Sequence, residues 1–524
     1  MYNFIIFTDY TDPLIVAKTL GAYKCAHALR SAGYSCLVVD HFHTYNLNEL
    51  SDLLHIAIGS NTMAVGFSTT FFTGISDNKL SLLTQLQIEL KSLPDGCFCP
   101  QGIIFEEELI NLIKNINSKI KIIVGGTKVY REYSNRHVDY ALVGYSESTF
   151  VNLAKYINGD QSLGPSYKNV WGVTVLTDVG YESYDFKNTP FVWQATDVVN
   201  AKVLPLEITR GCIFSCKFCS FPLIGKTGND FIKSFDLLYQ EMLDNYHNYG
   251  ITSYYIVDDT FNDNETKLNL MQDIIKKLPF KPTFWAYTRL DLIASKNNFN
   301  KLIDIGLRGF FFGIETLNQQ TGKIIGKGAD PAKLISTICK IRQEYKNDIL
   351  MHGQFIIGLP KESMSSIDET FNGIMNQSIP LHSWHFGGLW IPQPNKVTWL
   401  SEFSKNYKEY GYTEITGDTT ISTGYTQLGN NILDINWQNE YMTRDEANYK
   451  SQELVVKSLD SDKLHLNSST AWNLQNYNYS WSELSTTPQK EFKLTRVQKI
   501  IHVKEYKKQL LKLISASTPG YTFP

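Results

Sequence analysis

"EITRGCIFSCKFCSFP", Glu207 to Pro222, places Cys212, Cys216 and Cys219 within eight residues of a 524-residue chain that has eight cysteines in all. Their neighbours are apolar and aromatic, unlike the glycines and charges of an ordinary loop. The preceding run "VLPLEIT", Val203 to Thr209, has the apolar character of a buried strand, so the three thiols leave a strand's carboxyl end together. Thiolates on one short loop can converge on a single point. A closed structural zinc site wants four nitrogen or sulfur ligands, and the nearest further candidates, His247 and Cys339, lie well outside the loop. An iron-sulfur cube held by three thiolates instead keeps one iron open to another ligand.

Reading outward from this loop, the same strand-then-helix alternation continues. Strands are expected at Ser253 to Asp258, Thr283 to Thr288, Gly309 to Glu315, Met351 to Gly358 and His382 to Ile391, with helical segments such as "FDLLYQEMLDNYHNYG" between them. Six strand-helix units imply a partly closed parallel barrel whose chemistry sits on the loops after the strands. Toward the N-terminus, Tyr2 to Phe7, Ser35 to Asp40, "MAVGFSTT", Ile120 to Gly126 and Val138 to Gly144 are apolar runs separated by helical patterns. Such runs mean a parallel sheet covered on both faces, which binds ligands at its strands' carboxyl ends. The expected fold class is therefore α/β. A doubly wound domain spans residues 1–165 and a linker 166–200; a partial (β/α)6 TIM-like barrel spans 201–395, and a mostly helical capping region 396–524.

The totals set bounds. Hydrophobic residues make up 43% and charged residues 19%, and the net charge of -3 gives no general attraction to nucleic acid or anionic lipid. No apolar run approaches the roughly 18 residues of a membrane span. Met1 leads into "YNFIIFTDY", which lacks a basic leader, so a cytoplasmic protein is expected. Cys25, Cys36, Cys97, Cys99 and Cys339 form no disulfide framework, which fits a reducing compartment. In the tail "EFKLTRVQKIIHVKEYKKQLLKLI", Leu494, Val497, Ile501, Leu510, Leu511 and Ile514 share one side. The eight basic residues from Lys490 to Lys512 read as the solvated face of a packed capping helix, not as a nucleic-acid or membrane surface. "IGKTG", Ile224 to Gly228, does not join a strand to a helix as a phosphate loop must and carries no weight.

The spacing C-x3-C-x2-C, with Phe218 before the last cysteine, resembles the signature of the radical S-adenosylmethionine enzymes. The resemblance implies a 4Fe-4S cluster on Cys212, Cys216 and Cys219. Its open iron would chelate the amino and carboxylate groups of S-adenosylmethionine, and one electron would cleave that molecule to a 5′-deoxyadenosyl radical. Further segments follow the family's order. "YYIVDDTFNDN" would bring Asp258 and Asp259 toward the methionine end, and "AYTRLDLI" supplies Arg289 as a partner for the methionine carboxylate. "GFFFGIETL" would set Glu315 near the ribose hydroxyls, and "GQFIIGLPKES", containing Gly358, would lie against the adenine. Read without the family, Asp258 and Asp259 could cap a helix and Arg289 could make a structural ion pair.

A doubly wound domain in front of this barrel resembles the cobalamin-binding subgroup of these enzymes, through "AHALRSAGYSCLVVD", "AVGFSTTFF", "KIIVGGTKVY" and "DYALVGYSESTFVNLAKY". The likeness covers roughly residues 1 to 395. The Asp-x-His-x-x-Gly element that puts histidine on cobalt is missing, since "DYTDPLIVAKTLG" has no histidine, and the usual Gly-Glu-Gly-Glu turn is here "GYSE". Ser68, Gly125 and Gly126, in "FSTT" and "VGGT", would cradle the corrin with small residues and backbone amides. With cobalamin the implied reaction is methyl transfer to an unactivated carbon or phosphorus centre. Without it, hydrogen abstraction leading to rearrangement, cyclisation or oxidation follows, and a zinc- or nucleic-acid-binding protein is the reading from another class. A small-molecule or peptide-like substrate and a reductant such as flavodoxin or ferredoxin are the implied partners. His41 and His43 read as surface or loop histidines, and His382 and His385 as cavity-lining or core residues. No second trio of cysteines assembles from Cys25, Cys36, Cys97 and Cys99.

Overall fold

Phe4–Phe7 and Cys36–Val39 are buried at every position instead of at alternate ones, the behaviour of strands covered on both faces. The computed structural model describes residues 1–9, 16–69, 109–126, 137–160, 167–170, 172–177, 185–221, 228–393, 400–415, 435–458, 464–465, 474–486 and 493–516. In it the front sheet consists of β1 (Phe4–Phe7), β2 (Cys36–Val39), β3 (Ala64–Ser68), β4 (Lys121–Gly125), β5 (Tyr140–Val143), β6 (Tyr167–Val170) and β7 (Val173–Thr177). Their order is β2-β1-β3-β4-β5-β7-β6, and every pairing is parallel except the β6–β7 hairpin. Helices Leu20–Ser31 and Glu147–Ile157 pack on one face through Leu29, Phe150 and Leu153. Helices Leu47–Ala57 and Ile110–Ile116 pack on the other through Leu50, Leu54 and Ile113. Cys97 and Cys99 lie outside the described residues.

The expected linker over 166–200 is corrected by β6 and β7. The run "VTVLT" is β-branched and pairs in parallel with β5, so it extends the front sheet. After it, Asp197 receives both terminal nitrogens of Arg30, at 3.0 and 2.7 Å, which ties the connecting segment back onto the front domain.

The second sheet holds β8 (Val203–Leu206), β9 (Ser253–Ile256), β10 (Thr283–Thr288), β11 (Leu307–Glu315), β12 (Leu350–Ile357) and β13 (Ser383–Gly388), each parallel to its sequence neighbour. Leu464–His465 adds two more residues beyond β13. The barrel stays open between that edge and β8. Leu474–Thr486 packs against the start of β8 and against β10 and β12. Asn476 accepts from the amides of Lys202 and Val203 at 2.8 and 3.0 Å, and Trp481 stacks on Trp285 with centroids 6.1 Å apart.

The C-terminal region is divided between the two domains. Helix Arg444–Ser458 lies along β13, where Ser451 donates to the Phe386 carbonyl at 2.5 Å. Helix Lys493–Ala516 returns to the front sheet, where Tyr506, Leu510 and Ile514 enter the apolar core and the Asp40 amide donates to the Tyr506 hydroxyl oxygen at 2.8 Å. Its buried side runs through Val503, Tyr506, Leu510 and Ile514, so Ile501, expected on that side, is 62% exposed. Among the described residues no helix is long and apolar enough to cross a membrane.

Candidate active site

The chain leaves β8 through Glu207 to Cys219, and a buried carboxylate sets the start of that path. Asp258, at the end of β9, accepts from the Ile208 and Thr209 amides at 2.8 and 2.9 Å and from the Thr209 hydroxyl at 2.6 Å. Lys267 balances it at 3.4 Å and reaches Asp263 at 2.7 Å. Gly211, with φ 77, then makes a left-handed turn that favours glycine. Asp258 thus lines the mouth as expected, but its oxygens are engaged in holding the base of the thiol loop.

Beyond that turn the Cys212 thiol lies 3.3 Å from the Thr260 hydroxyl, and the Cys219 amide donates to the Cys216 carbonyl at 3.0 Å. The Lys217 amide bonds the Ile325 carbonyl at 3.1 Å and its own carbonyl accepts from Phe403 at 2.9 Å, so the loop is anchored from two directions. Burial raises the Cys212 thiol and pushes Cys219 up to about 12. Such thiols ionise only against added positive charge, as metal ligands do. Among the described residues no three His, Cys, Asp or Glu side chains are gathered to hold a single ion. A cube, with each thiolate on a different iron, needs a wider set. His247 and Cys339 are both exposed, Cys339 pointing to the Ser378 carbonyl at 3.8 Å, and neither lines the cavity.

The other barrel residues meet at the same mouth, around a cavity of about 790 Å³. Arg289 stands with Nη1 3.4 Å from the Cys216 sulfur and its guanidinium 4.0 Å from the Phe214 ring. Asp291 holds it by two bonds of 3.0 and 2.7 Å, and Asn262 brackets its backbone at 2.8 and 3.0 Å. Asp259 opens to the cavity; burial, then the neighbouring Asp258, lifts its carboxyl to about 7. Glu315 ends β11 at φ 68, a left-handed conformation uncommon for a side-chain-bearing residue, beside an irregular register with β12. Lys327 pairs with it at 2.9 Å and also bonds the Gly313 carbonyl. Phe218 lines the cavity near Lys327. Gly358 does not line it. At φ 101 it lies against Trp437, which an added Cβ would meet at 2.3 Å, and its carbonyl accepts from Tyr412 at 2.8 Å.

The opposite wall belongs to the front sheet. Gly66, Ser68, Gly125, Gly126 and Gly144, from the ends of β3, β4 and β5, border the same cavity as the three cysteines. Gly126 and Gly144 have φ 110 and 95. At Gly125 an added Cβ would meet only ordinary contacts, 3.7 Å from Leu142, so folding alone does not demand glycine there. The small residues leave room for a large ligand. No histidine among the described residues lines the cavity.

Four residues to which the sequence reading gave no role join the walls. Arg210 bonds Glu207 through Nε at 2.7 Å and Glu147 of the front domain through Nη2, and Lys24 pairs with the other oxygen of Glu207. All four lie in the cavity lining. Burial alone would raise the Glu147 carboxyl, but Arg210 and Lys24 outweigh it and hold it below its ordinary value. The last acid of "GYSE", Glu147, was the available signal. Lys327 was missed too, although it sits within the quoted "GKIIGKG".

The histidines lie elsewhere. His41, expected on a surface, is buried against Tyr506 with ring centroids 5.1 Å apart. His43 has no described side chain. His382 accepts from the Met351 amide at 3.0 Å and meets the Lys346 carbonyl at 2.9 Å, a core role, and His385 is also outside the cavity lining.

Residues 206–374 match the family model of the radical SAM superfamily. An uncharacterized methyltransferase of Pyrococcus horikoshii is 27% identical over 286 residues, 49% of this chain and 58% of that protein. The bacteriochlorophyllide d C-8(2)-methyltransferase of Chlorobaculum tepidum is 25% identical over 228 residues, 38% of this chain and 49% of that one. The chain thus spans about half the length of these curated relatives. In fold it is similar to the radical S-adenosylmethionine methyltransferase TsrM from Kitasatospora setae, solved with cobalamin and a 4Fe-4S cluster, with TM-score 0.61, 15% identity and coverage of 96% and 100%. It is also similar to the cobalamin-dependent enzyme OxsB, with TM-score 0.51, 18% identity and coverage of 71% and 52%. The loop of three thiols lies inside the matched segment, so residues 206–374 carry a radical S-adenosylmethionine domain on the barrel described above.

Proposed function

We propose that the chain is a cobalamin-dependent radical S-adenosylmethionine methyltransferase acting on an unactivated carbon. One observation carries this reading: the three thiols of the barrel loop and the glycine-lined edge of the front sheet border one cavity. When bound, the cluster supplies the electron that cleaves S-adenosylmethionine, and the corrin supplies a cobalt centre able to carry a methyl group. Cys212, Cys216 and Cys219 would hold the cluster, and Ser68, Gly125 and Gly126 would border the corrin.

The chain's own residues then bind, orient and seal. Arg289 presents a charged fork, aligned by Asp291, to the carboxylate of an amino-acid ligand. Glu315, held by Lys327, offers acceptors for sugar hydroxyls. Asp259 can hold or release a proton near neutral pH at its carboxyl oxygen. Tyr255, Trp285, Tyr287 and Phe311 line the same cavity and suit a flat, largely apolar substrate, small or peptide-like. Front-domain residues face the barrel mouth across the cavity and so limit the approach of water from that side. A cytoplasmic flavodoxin or ferredoxin fits as electron donor, in keeping with the free cysteines among the described residues.

The test is anaerobic expression with hydroxocobalamin supplied, followed by measurement of iron, corrin and the products of S-adenosylmethionine. Iron together with stoichiometric corrin and transfer of the labelled methyl group is the expected result. An iron-loaded protein that takes up no corrin would move it to the rearrangement, cyclisation or oxidation class.

A further inference from the structure

The two cavity walls are joined by ions as well as by apolar packing. Lys24, Glu147, Glu207 and Arg210 have side chains 5%, 5%, 11% and 4% exposed. An apolar contact would hold two domains without the desolvation that four buried charges demand. Ions add direction. Arg210 has a planar fork whose Nε bonds Glu207 on its own strand end and whose Nη2 bonds Glu147 across the domain boundary. Tyr145 and Phe186 stack on its guanidinium at 4.4 and 5.0 Å, and its amide bonds the Phe231 carbonyl at 3.2 Å. The guanidinium therefore has little freedom to turn.

Its position along the chain gives that rigidity a consequence. Arg210 stands two residues before Cys212, while Glu147 opens its helix directly after Gly144, Tyr145 and Ser146, which border the front wall of the cavity. Displacement of that turn reaches the thiol loop through two directional bonds.

We infer that Glu147 and Arg210 are positioning residues through which the front-domain wall sets the geometry of the thiol loop. This rests on the proposed function only in requiring that Cys212, Cys216 and Cys219 hold an iron-sulfur cluster. The full chain, reconstituted anaerobically with iron and sulfide and reduced with dithionite, tests it by iron content and the electron paramagnetic resonance spectrum. Glu147→Gln removes the charge at nearly constant volume and leaves every thiol in place. It is expected to keep the iron content of the unsubstituted chain and to shift the spectrum. The double variant Glu147→Gln with Arg210→Gln should shift it no further than Arg210→Gln alone, and Tyr506→Phe, in the front domain but off the cavity, should leave it unchanged. An iron-loaded Glu147→Gln protein with an unaltered spectrum overturns the inference, and so does a double variant whose shift is the sum of the single ones. Should Arg210→Gln fail to fold, Glu147→Gln alone decides. An unsubstituted chain that takes up no iron overturns the cluster reading, and the inference with it, a result distinct from either of those.

Discussion

The two walls of the cavity are built on opposite principles. On the barrel side, side chains fill the wall and are themselves held: Arg289 by Asp291, Glu315 by Lys327, and the base of the thiol loop by Asp258. On the front side the wall is made by leaving side chains out, at Gly66, Gly125, Gly126 and Gly144. A small charged ligand is selected by fixed charges at fixed distances, whereas a broad flat one is selected by clearance and backbone. The difference predicts that substitutions on the barrel wall disturb chemistry or folding, and that enlarging the glycines of the front wall disturbs occupancy.

The sharpest test of that division is Cys216→Ala, which is expected to abolish iron-sulfur absorbance and S-adenosylmethionine cleavage while the far-ultraviolet circular dichroism persists. Next, Asp258→Ala leaves the Ile208 and Thr209 amides and the Thr209 hydroxyl without their buried acceptor and Lys267 with Asp263 alone, and should destabilise the barrel by about 3–5 kcal/mol, read by denaturant unfolding. On the front wall, Gly125→Leu should weaken corrin binding by about ten- to a hundredfold, an overpacking cost of about 1–3 kcal/mol, with iron content unchanged. If iron falls with the corrin, the walls are not independent in this sense. Glu315→Gln keeps the shape of the acceptor and loses its charge, and several-fold weaker S-adenosylmethionine binding, about 1 kcal/mol, is expected by calorimetry.

The smallest effect concerns the support behind the front wall. Burial pushes His41 down to about 3, with Asp9, Lys18, Lys499 and Lys507 the charges around it and the His502 ring 5.9 Å away. The folded chain keeps this imidazole neutral while the unfolded chain protonates it below about 6.5, so the unfolded state binds more protons and stability falls as pH drops from there toward 3. Between pH 7 and pH 6 the share of the loss due to His41 should be about 0.5–1 kcal/mol, and His41→Asn should reduce the slope in thermal scans by that share, the buried His502 and His385 supplying the slope that remains.

Much of this was legible because it is local. Continuous apolar runs such as "FIIF" and "TFWAYT" appear as β1 and β10, and the spacing of Cys212, Cys216 and Cys219 singled out the loop that lies at the cavity mouth. Arg289 and Glu315 follow from their places at strand ends. What was not legible depends on partners distant in the chain. Asp258 looks like a ligand until its oxygens are seen on the amides of Ile208 and Thr209, and Gly358 looks like part of a ligand wall until Trp437 covers it. The hairpin of β6 and β7 was hidden by its polar residues, and Glu147 and Arg210 acquire meaning only as a pair across a domain boundary.

Tyr506 and Asp40 are 466 positions apart, yet the front sheet completes its packing only when helix Lys493–Ala516 arrives. At roughly 5–20 residues per second, a ribosome would leave that face of the sheet bare for tens of seconds. The front sheet thus emerges long before the helix that finishes it, and the cavity edge it carries is buttressed from behind only once that helix has been made.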